Sequence, residues 1–230
     1  VTRPKLVDLF CCGGGAAMGY HRAGFDVVGV DWVDQPDYPF TFVRADAMSF
    51  DLSGFDAVHA SPPCERFSTM NGPNRRHARL FDWNTDLLTP TLERFASLSV
   101  PWVVENVVGA RSAMPADAVT LCGSAFGLDV RRHRLFASNV PIGGVACRHD
   151  RQTGRFLPTG RNIAAARAGT GSHSRVVGNY GSLNYPGELE IRRRAMGIDW
   201  LPVDRLAKAI PPAYTEHLGR QLLASIRAMA

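Results

Sequence analysis

Apolar and polar positions alternate along this chain in short blocks, and the blocks change period from strand to helix and back. Lys5–Phe10 (KLVDLF) is a short apolar run that predicts a strand. It leads into Gly13, Gly14 and Gly15, and the following AAMGYHRAGF reads as a helix. Asp26–Asp31 (DVVGVD) predicts a second strand, Phe40–Val43 with Asp46 a third strand and turn, and Phe55–Ala60 (FDAVHA) a fourth. The fourth ends abruptly at Ser61-Pro62-Pro63. Asp86–Leu98 has helical periodicity, and Trp102–Glu105 predicts a fifth strand after Pro101. Strand, glycine turn, helix and strand in repetition imply an α/β fold, a parallel doubly wound sheet with ligands at the strand C-termini. From Asn139 to about Gly187 the periodicity fades and Gly, Arg, Asn, Ser and Pro dominate, the mark of a small loop-rich lobe. Helical pattern returns over Glu188–Met196 and Thr215–Met229. The expected division is therefore 1–138 for the main domain, 139–187 for the lobe and 188–230 for a segment returning to the main domain. No repeat or low-complexity tract interrupts it.

Composition narrows the class. The 230 residues are 45% hydrophobic and 20% charged, which suits a soluble globular protein and excludes wholesale disorder. No apolar run approaches the ~20 residues of a membrane span, and VTRPKLVDLF lacks a signal-peptide core, so a cytoplasmic, membrane-free monomer is expected. Five cysteines fit reduced thiols better than a disulfide framework. The net charge is +5, and 24 of the 26 basic residues are Arg, an excess that fits genome composition as well as chemistry. Between Arg131 and Arg175 nine Arg face one acid, Asp150. That excess suits a polyanion, most simply nucleic acid; the alternative is a solvated surface loop.

Candidate chemistry falls where such a sheet would put it. The glycine turn lets backbone approach a ligand at a helix N-terminus. Asp31 closes the second strand 18 residues after Gly13, where an acid binds ribose hydroxyls, and Asp46 after the third could accept from an adenine amino group. Together they favour an adenosine-containing cofactor. The spacing does not match a phosphate loop. Two prolines stiffen the turn that presents Cys64 at the ligand edge, a poor place to bury a thiol that might otherwise be a small core residue. Glu105 ends the next strand and should reach the same crevice as a candidate acid. No Cys-x-x-Cys pair supports a zinc site. Cys147 and His149 could suggest a metal, but with no second pair visible they read as structural or surface residues, and no metal is expected.

These residues carry a family resemblance. DLFCCGGGAAMGYHRAGF, VDW, ADA at 45–47, SPPCERFS, VENV, VRRHRLF and the C-terminal RAMGIDWLPVDRLAKAIPPAYTEHLG together resemble the ordered motifs of DNA cytosine-5 methyltransferases, over about 180 of 230 residues. The resemblance implies a Rossmann-like doubly wound sheet of the class I methyltransferase type, with the lobe as a small target-recognition element. It implies an S-adenosylmethionine-type cofactor held by Phe10, Cys11, Gly13, Gly14, Gly15, Asp31, Trp32, Asp46, Ala47, Pro62 and Lys208. It implies catalysis by Cys64, Glu105, Arg132 and Arg134 on double-stranded DNA with a flipped cytosine. Cys64 would add to C6 of the base. Glu105, with its acidity lowered in a closed site, would pair with N3 and the exocyclic amine. Arg132 and Arg134 would bracket the flipped base and its phosphate. In the lobe, Arg148, Arg151, Arg155, Arg161, Arg167 and Arg175 would hold phosphates or guanine edges, reading a short site of about two to four base pairs. Its compact size suggests a phage or mobile-element enzyme.

The sequence departs from the family pattern at several places. Cys12 replaces a usual Gly, Val130 a common Gln, and Lys208 the Asn near the cofactor's reactive methyl. An ammonium at 208 would repel a sulfonium, by about 4 kcal/mol at ~4 Å and an effective dielectric of ~20, but would pair with a carboxylate. The favoured expectation is therefore carboxymethyl transfer from carboxy-S-adenosyl-L-methionine, giving 5-carboxymethylcytosine. Ordinary methylation with S-adenosyl-L-methionine, a transfer-RNA substrate, and a catalytically dead DNA-binding protein are the alternatives.

Overall fold

The computed structural model describes residues 2–67, 85–152 and 186–229. Seven strands form one sheet: β1 (Lys5–Leu9), β2 (Asp26–Asp31), β3 (Thr41–Arg44), β4 (Ala57–Ala60), β5 (Trp102–Val107), β6 (Val119–Leu121) and β7 (Arg134–Ser138). Their order is β3-β2-β1-β4-β5-β7-β6. The pairings β1–β2, β1–β4, β2–β3 and β4–β5 are parallel, whereas β7 runs antiparallel to both its neighbours. The sheet is therefore mixed, not wholly parallel as the repeating pattern implies. Two signals were too weak to show this. β6 is only three residues long, and β7 (RLFAS) lies inside an arginine-rich stretch.

Among the described residues the α-helices are α1 (Gly15–Ala23), α2 (Leu88–Ala96), α3 (Glu188–Met196), α4 (Val203–Leu206) and α5 (Pro212–Met229). They cover both faces of the sheet, which is why β1 and β4 are buried almost end to end. On one face Tyr20 and Phe25 join Leu6, Val27, Tyr214, Leu218 and Leu222. On the other Val7, Leu9, Val30, Val58 and Val104 meet Leu88 and Phe95. A third cluster joins Val130 to Met196, Ile198, Leu201 and Leu206, tying the C-terminal segment to the main body. Asp8, an acid buried within β1, meets His59 on the neighbouring strand, Nδ1 to Oδ1 at 2.7 Å.

Local chemistry sets the boundaries. α2 begins two residues later than its periodicity suggests, because the Asp86 carboxylate accepts from the backbone N–H of Leu88 and Thr89 at 3.0 and 3.1 Å. α5 begins at Pro212, three residues before the pattern, with proline in the first turn where no N–H is needed. The segment after β7 stays on the body: Val140, Ile142 and Val145 pack on the core, and Gly143 N–H donates to Gln221 Oε1 at 2.6 Å. The chain thus remains bound to the main domain beyond residue 139, where a separate lobe was expected to start. Among the described residues no helix is long and apolar enough to cross a membrane.

Candidate active site

The C-terminal ends of the strands open into a cleft of about 450 Å³. One wall is the turn after β1. Phe10 and Cys12 there adopt φ values of +56° and +47°, left-handed conformations rare for side-chain-bearing residues and worth about 1–3 kcal/mol of strain each. Asp31, buried at the end of β2, holds this turn. Its Oδ2 accepts from Cys12 N–H at 3.1 Å and its Oδ1 from Val33 N–H at 3.0 Å. Burial, opposed by these hydrogen bonds and one from Gln35, raises the Asp31 carboxyl above its ordinary pKa. Trp32 beside it is half exposed and lines the cleft mouth. The C-terminal segment closes this end. Trp200 Nε1 donates to Gly13 O at 2.9 Å, and Ala207, Lys208, Ala209 and Ile210 form the adjoining wall.

The opposite wall carries the reactive groups. Cys64 follows Pro62-Pro63 beyond β4 and is half-buried. Asn106 Nδ2 donates to Pro62 O at 3.1 Å, so the strand bearing Glu105 also fixes the loop bearing Cys64. Glu105 is only 6% exposed, and Arg134 Nε lies 2.9 Å from its Oε1. Arg132, also buried, donates to Ala207 O at 2.9 Å, while its own carbonyl accepts from Tyr214 Oη at 2.5 Å. Burial pushes the Cys64 thiol up from its ordinary pKa. Glu105 and Glu65 add to the shift, and Arg134 and Arg132 oppose it. Burial first, and Glu105 and Glu65 after it, thus favour the neutral thiol, with Arg134 and Arg132 acting the other way.

The structure brings Phe10, Cys11, Gly13, Gly15, Asp31, Trp32, Pro62, Cys64, Glu105, Arg132, Arg134 and Lys208 around this one cleft. Gly14, Asp46 and Ala47 lie outside its lining. Gly14, at φ +79°, packs against Tyr38 and Pro39. Asp46 is exposed, and its carboxylate closes the turn after β3 by accepting from Met48 N–H at 2.9 Å and Ser49 Oγ at 3.1 Å. Ala47 is buried in the core with its carbonyl bound by Arg94 at 2.7 Å. Arg148 and Arg151 line a separate small hollow with Ser124, Gly127, Leu128 and Asp129. Arg155, Arg161, Arg167 and Arg175 lie outside the described residues. Sequence reasoning missed Asp8 and Glu65 in the cleft lining and Asn106 and Tyr214 as supports. All four lie within the motifs that carry the resemblance: Asp8 in DLFCCGGG, Glu65 in SPPCERFS, Asn106 in VENV and Tyr214 in IPPAYTEHLG. The expectation that Cys147 and His149 lack a second pair is corrected: Cys122 and His133 join them, all four ligand atoms within 4.8 Å of one another.

No protein-family model matches the chain, and no curated protein matches it by sequence. Solved structures do match in fold. One is described as a candidate DNA modification methyltransferase encoded within a prophage of E. coli. It is 17% identical, with a TM-score of 0.61 over 98% of this chain and 99% of that one. The S. pombe Dnmt2 methyltransferase is 11% identical, with a TM-score of 0.62 over 98% and 99% of the two chains. A Spodoptera frugiperda DNMT2 variant is 13% identical, with a TM-score of 0.58 over 96% and 99%. The chain has the Rossmann-like fold of class I methyltransferases.

Proposed function

We propose that the chain modifies C5 of cytosine in DNA by covalent catalysis, taking the transferred group from an S-adenosylmethionine-type donor. The observation that carries this is the placing of Cys64, Glu105 and Arg134 on one wall of a cleft whose other wall is Asp31 and the glycine turn. The donor's fit rests on Asp31. Two of its acceptor positions already hold backbone N–H groups, and the carboxylate still lines the cleft, where it can accept from a ribose hydroxyl. When bound, such a donor supplies an electrophilic carbon on sulfur.

The chain's own residues do the rest. Cys64 gives its proton to solvent and its sulfur bonds to C6 of a cytosine turned out of the duplex, which moves electron density to C5. Glu105, held by Arg134, faces the N3 edge, donates a proton to N3 as negative charge builds there, and takes it back when the ring is restored. After transfer a base takes the C5 proton, and the Cys64–C6 bond breaks to restore the aromatic ring. Arg132 braces the wall through Ala207. One structure similar in fold is described as a DNA modification methyltransferase, in line with a DNA substrate, and transfer RNA stands as the alternative. Arg148 and Arg151, which line the separate small hollow, suit a phosphate backbone.

A second reading concerns the group transferred. Lys208 is exposed and lines the donor side of the cleft, where an ammonium suits a donor carbon bearing a carboxylate. This favours carboxy-S-adenosylmethionine and a 5-carboxymethylcytosine product.

The test is incubation with duplex DNA or total transfer RNA and equal amounts of both donors, followed by nucleoside mass spectrometry. DNA containing 5-fluorocytosine should form a denaturation-resistant adduct with wild type and none with Cys64→Ser. An adduct with Cys64→Ser would overturn the assignment of the nucleophile. Product on transfer RNA alone would overturn the DNA substrate. Only methylcytosine, with Lys208→Asn unchanged, would remove the carboxymethyl reading.

A further inference from the structure

We infer that Cys122, His133, Cys147 and His149 form a structural zinc site beside the cleft. Among the described residues they are the one cluster of this kind, and they come from three places in the chain. Cys122 follows β6 and is fully buried. His133 immediately precedes β7. Cys147 and His149 lie in the segment that packs back on the body after β7. Leu121 pairs with Arg134 across β6 and β7, so the next antiparallel pair along the ladder is Cys122 with His133.

The spacing is that of a metal's coordination shell. Cys122 Sγ lies 3.3 Å from His149 Nε2, and Cys147 Sγ lies 3.4 Å from His133 Nε2. A tetrahedral zinc with bonds of about 2.3 Å to sulfur and 2.0–2.1 Å to nitrogen has ligand-to-ligand edges of roughly 3.3–3.8 Å. The longest separation, within 4.8 Å, needs to close by about 1 Å to meet that geometry. The two imidazole rings are perpendicular, at 87° with centroids 5.3 Å apart, so they do not stack and their Nε2 atoms can converge on a common point. Ser124 Oγ donates to Cys122 Sγ at 3.3 Å, the outer-shell hydrogen bond expected of a thiolate ligand. Two sulfurs and two imidazoles match the preference of zinc, and four protein ligands leave no open position for chemistry.

The ion would join the end of β6, the start of β7 and the 147–149 segment. His133 sits between Arg132 and Arg134, both of which line the cleft, so the ion would also fix the backbone that aims them. The inference stands apart from the reading of the cleft, because metal content is measured without substrate.

The experiment uses the full, untagged chain purified with reductant, stripped with a chelator and reconstituted with zinc or cobalt. One zinc per chain is expected by atomic emission. The cobalt form should show tetrahedral d–d bands and a thiolate-to-cobalt charge-transfer band. Cys147→Ser, at an exposed position, and His149→Gln should each lose most of the bound metal while remaining folded by circular dichroism. Cys64→Ser should retain it. Chelation should lower the melting temperature of wild type and leave that of Cys147→Ser unchanged. Far less than one zinc per chain after reconstitution would overturn the inference. So would stoichiometric zinc in both Cys147→Ser and His149→Gln, or a Cys122–Cys147 disulfide in the reduced preparation.

Discussion

Replacing Gly15 by alanine probes whether the C-terminal segment is a working wall of the cleft. Gly15 opens α1, and a Cβ there would sit 2.4 Å from the Ile210 carbonyl oxygen and 3.2 Å from Ala209 Cβ. The nearest obstacle is backbone, so no side chain can swing aside. Relief requires moving the Ala207–Ile210 wall by roughly 1 Å. Overpacking of this kind costs about 1–3 kcal/mol, offset by up to ~1 kcal/mol because alanine favours helix over glycine. The net loss of stability is about 0–3 kcal/mol, but the displacement falls on the wall of the cleft proposed to hold the donor. Donor affinity should drop roughly 10- to 100-fold, equal to about 1.4–2.8 kcal/mol. Gly19→Ala is the control. Its Cβ would meet Pro212 O and Thr215 Oγ1, both at 2.1 Å, on the same helix but away from the cleft. It should lower the melting temperature at least as much as Gly15→Ala, yet leave the dissociation constant of the folded protein within about twofold. Isothermal titration with S-adenosylmethionine, run well below each melting point, separates the two. Unchanged affinity in Gly15→Ala, or an equal loss in both variants, would refute the reasoning.

Alkylation of Cys64 by iodoacetamide should be slow at neutral pH and rise with pH beyond the range of an ordinary thiol, because the neutral form is favoured. Glu105→Gln should speed labelling at fixed pH and Arg134→Met should slow it, both followed by peptide mass spectrometry; a pH-independent rate would contradict this. The raised pKa of Asp31 acts with opposite signs on binding and on stability. Its carboxylate must be ionised to accept from a ribose, so donor affinity should fall as pH drops through a range above that of an ordinary carboxyl. A folded pKa above the unfolded one contributes stability at low pH that is lost as pH rises through it. Titrations of affinity and of melting temperature should therefore slope oppositely, and Asp31→Asn should flatten both. Arg192 is fully buried with its Nε 2.9 Å from Glu188 Oε1. Arg192→Met leaves that carboxylate buried without its partner, so a loss of about 3–5 kcal/mol, or roughly 6–20 °C in melting temperature, is expected by calorimetry.

The parts of the fold written in strong local patterns were legible. DVVGVD became β2 with the expected limits, and Glu188–Met196 became α3. Cys64 and Glu105 were legible because both lie near the C-terminal ends of strands, Cys64 just beyond β4 and Glu105 toward the end of β5, and such ends face the ligand. Asp46 had the same position in the pattern but a different outcome. Its short side chain is taken up by Met48 and Ser49 in its own turn, a local competition that spacing does not reveal. Arg134 was placed against a substrate phosphate, whereas an ion pair with Glu105 engages it here. Cys122 and His133 were missed because their nearness to Cys147 and His149 depends on strand pairing, not on any sequence spacing.

The reversal of one strand accounts for both the cleft's charge pair and the cluster beside it. Had β7 run parallel to its neighbours, its first residue would lie at the far edge of the sheet, away from Cys64. Running antiparallel, it starts at the edge where β5 and β6 end: Val107 and Leu121 both pair with Arg134. Residues two apart on a strand share a face, so Glu105 and Val107 present the same side, and Arg134 reaches Glu105 as a diagonal cross-strand neighbour. His133, immediately before β7, meets Cys147 and Cys122. One three-residue stretch, Arg132-His133-Arg134, thus serves the cleft and the cluster beside it. A one-residue slip of β7 against β5 and β6 would turn each of its side chains to the other face of the sheet, carrying Arg134 away from Glu105. The fully buried Leu121, Leu135 and Phe136 oppose that slip, because it would force apolar side chains from one packed layer into the other.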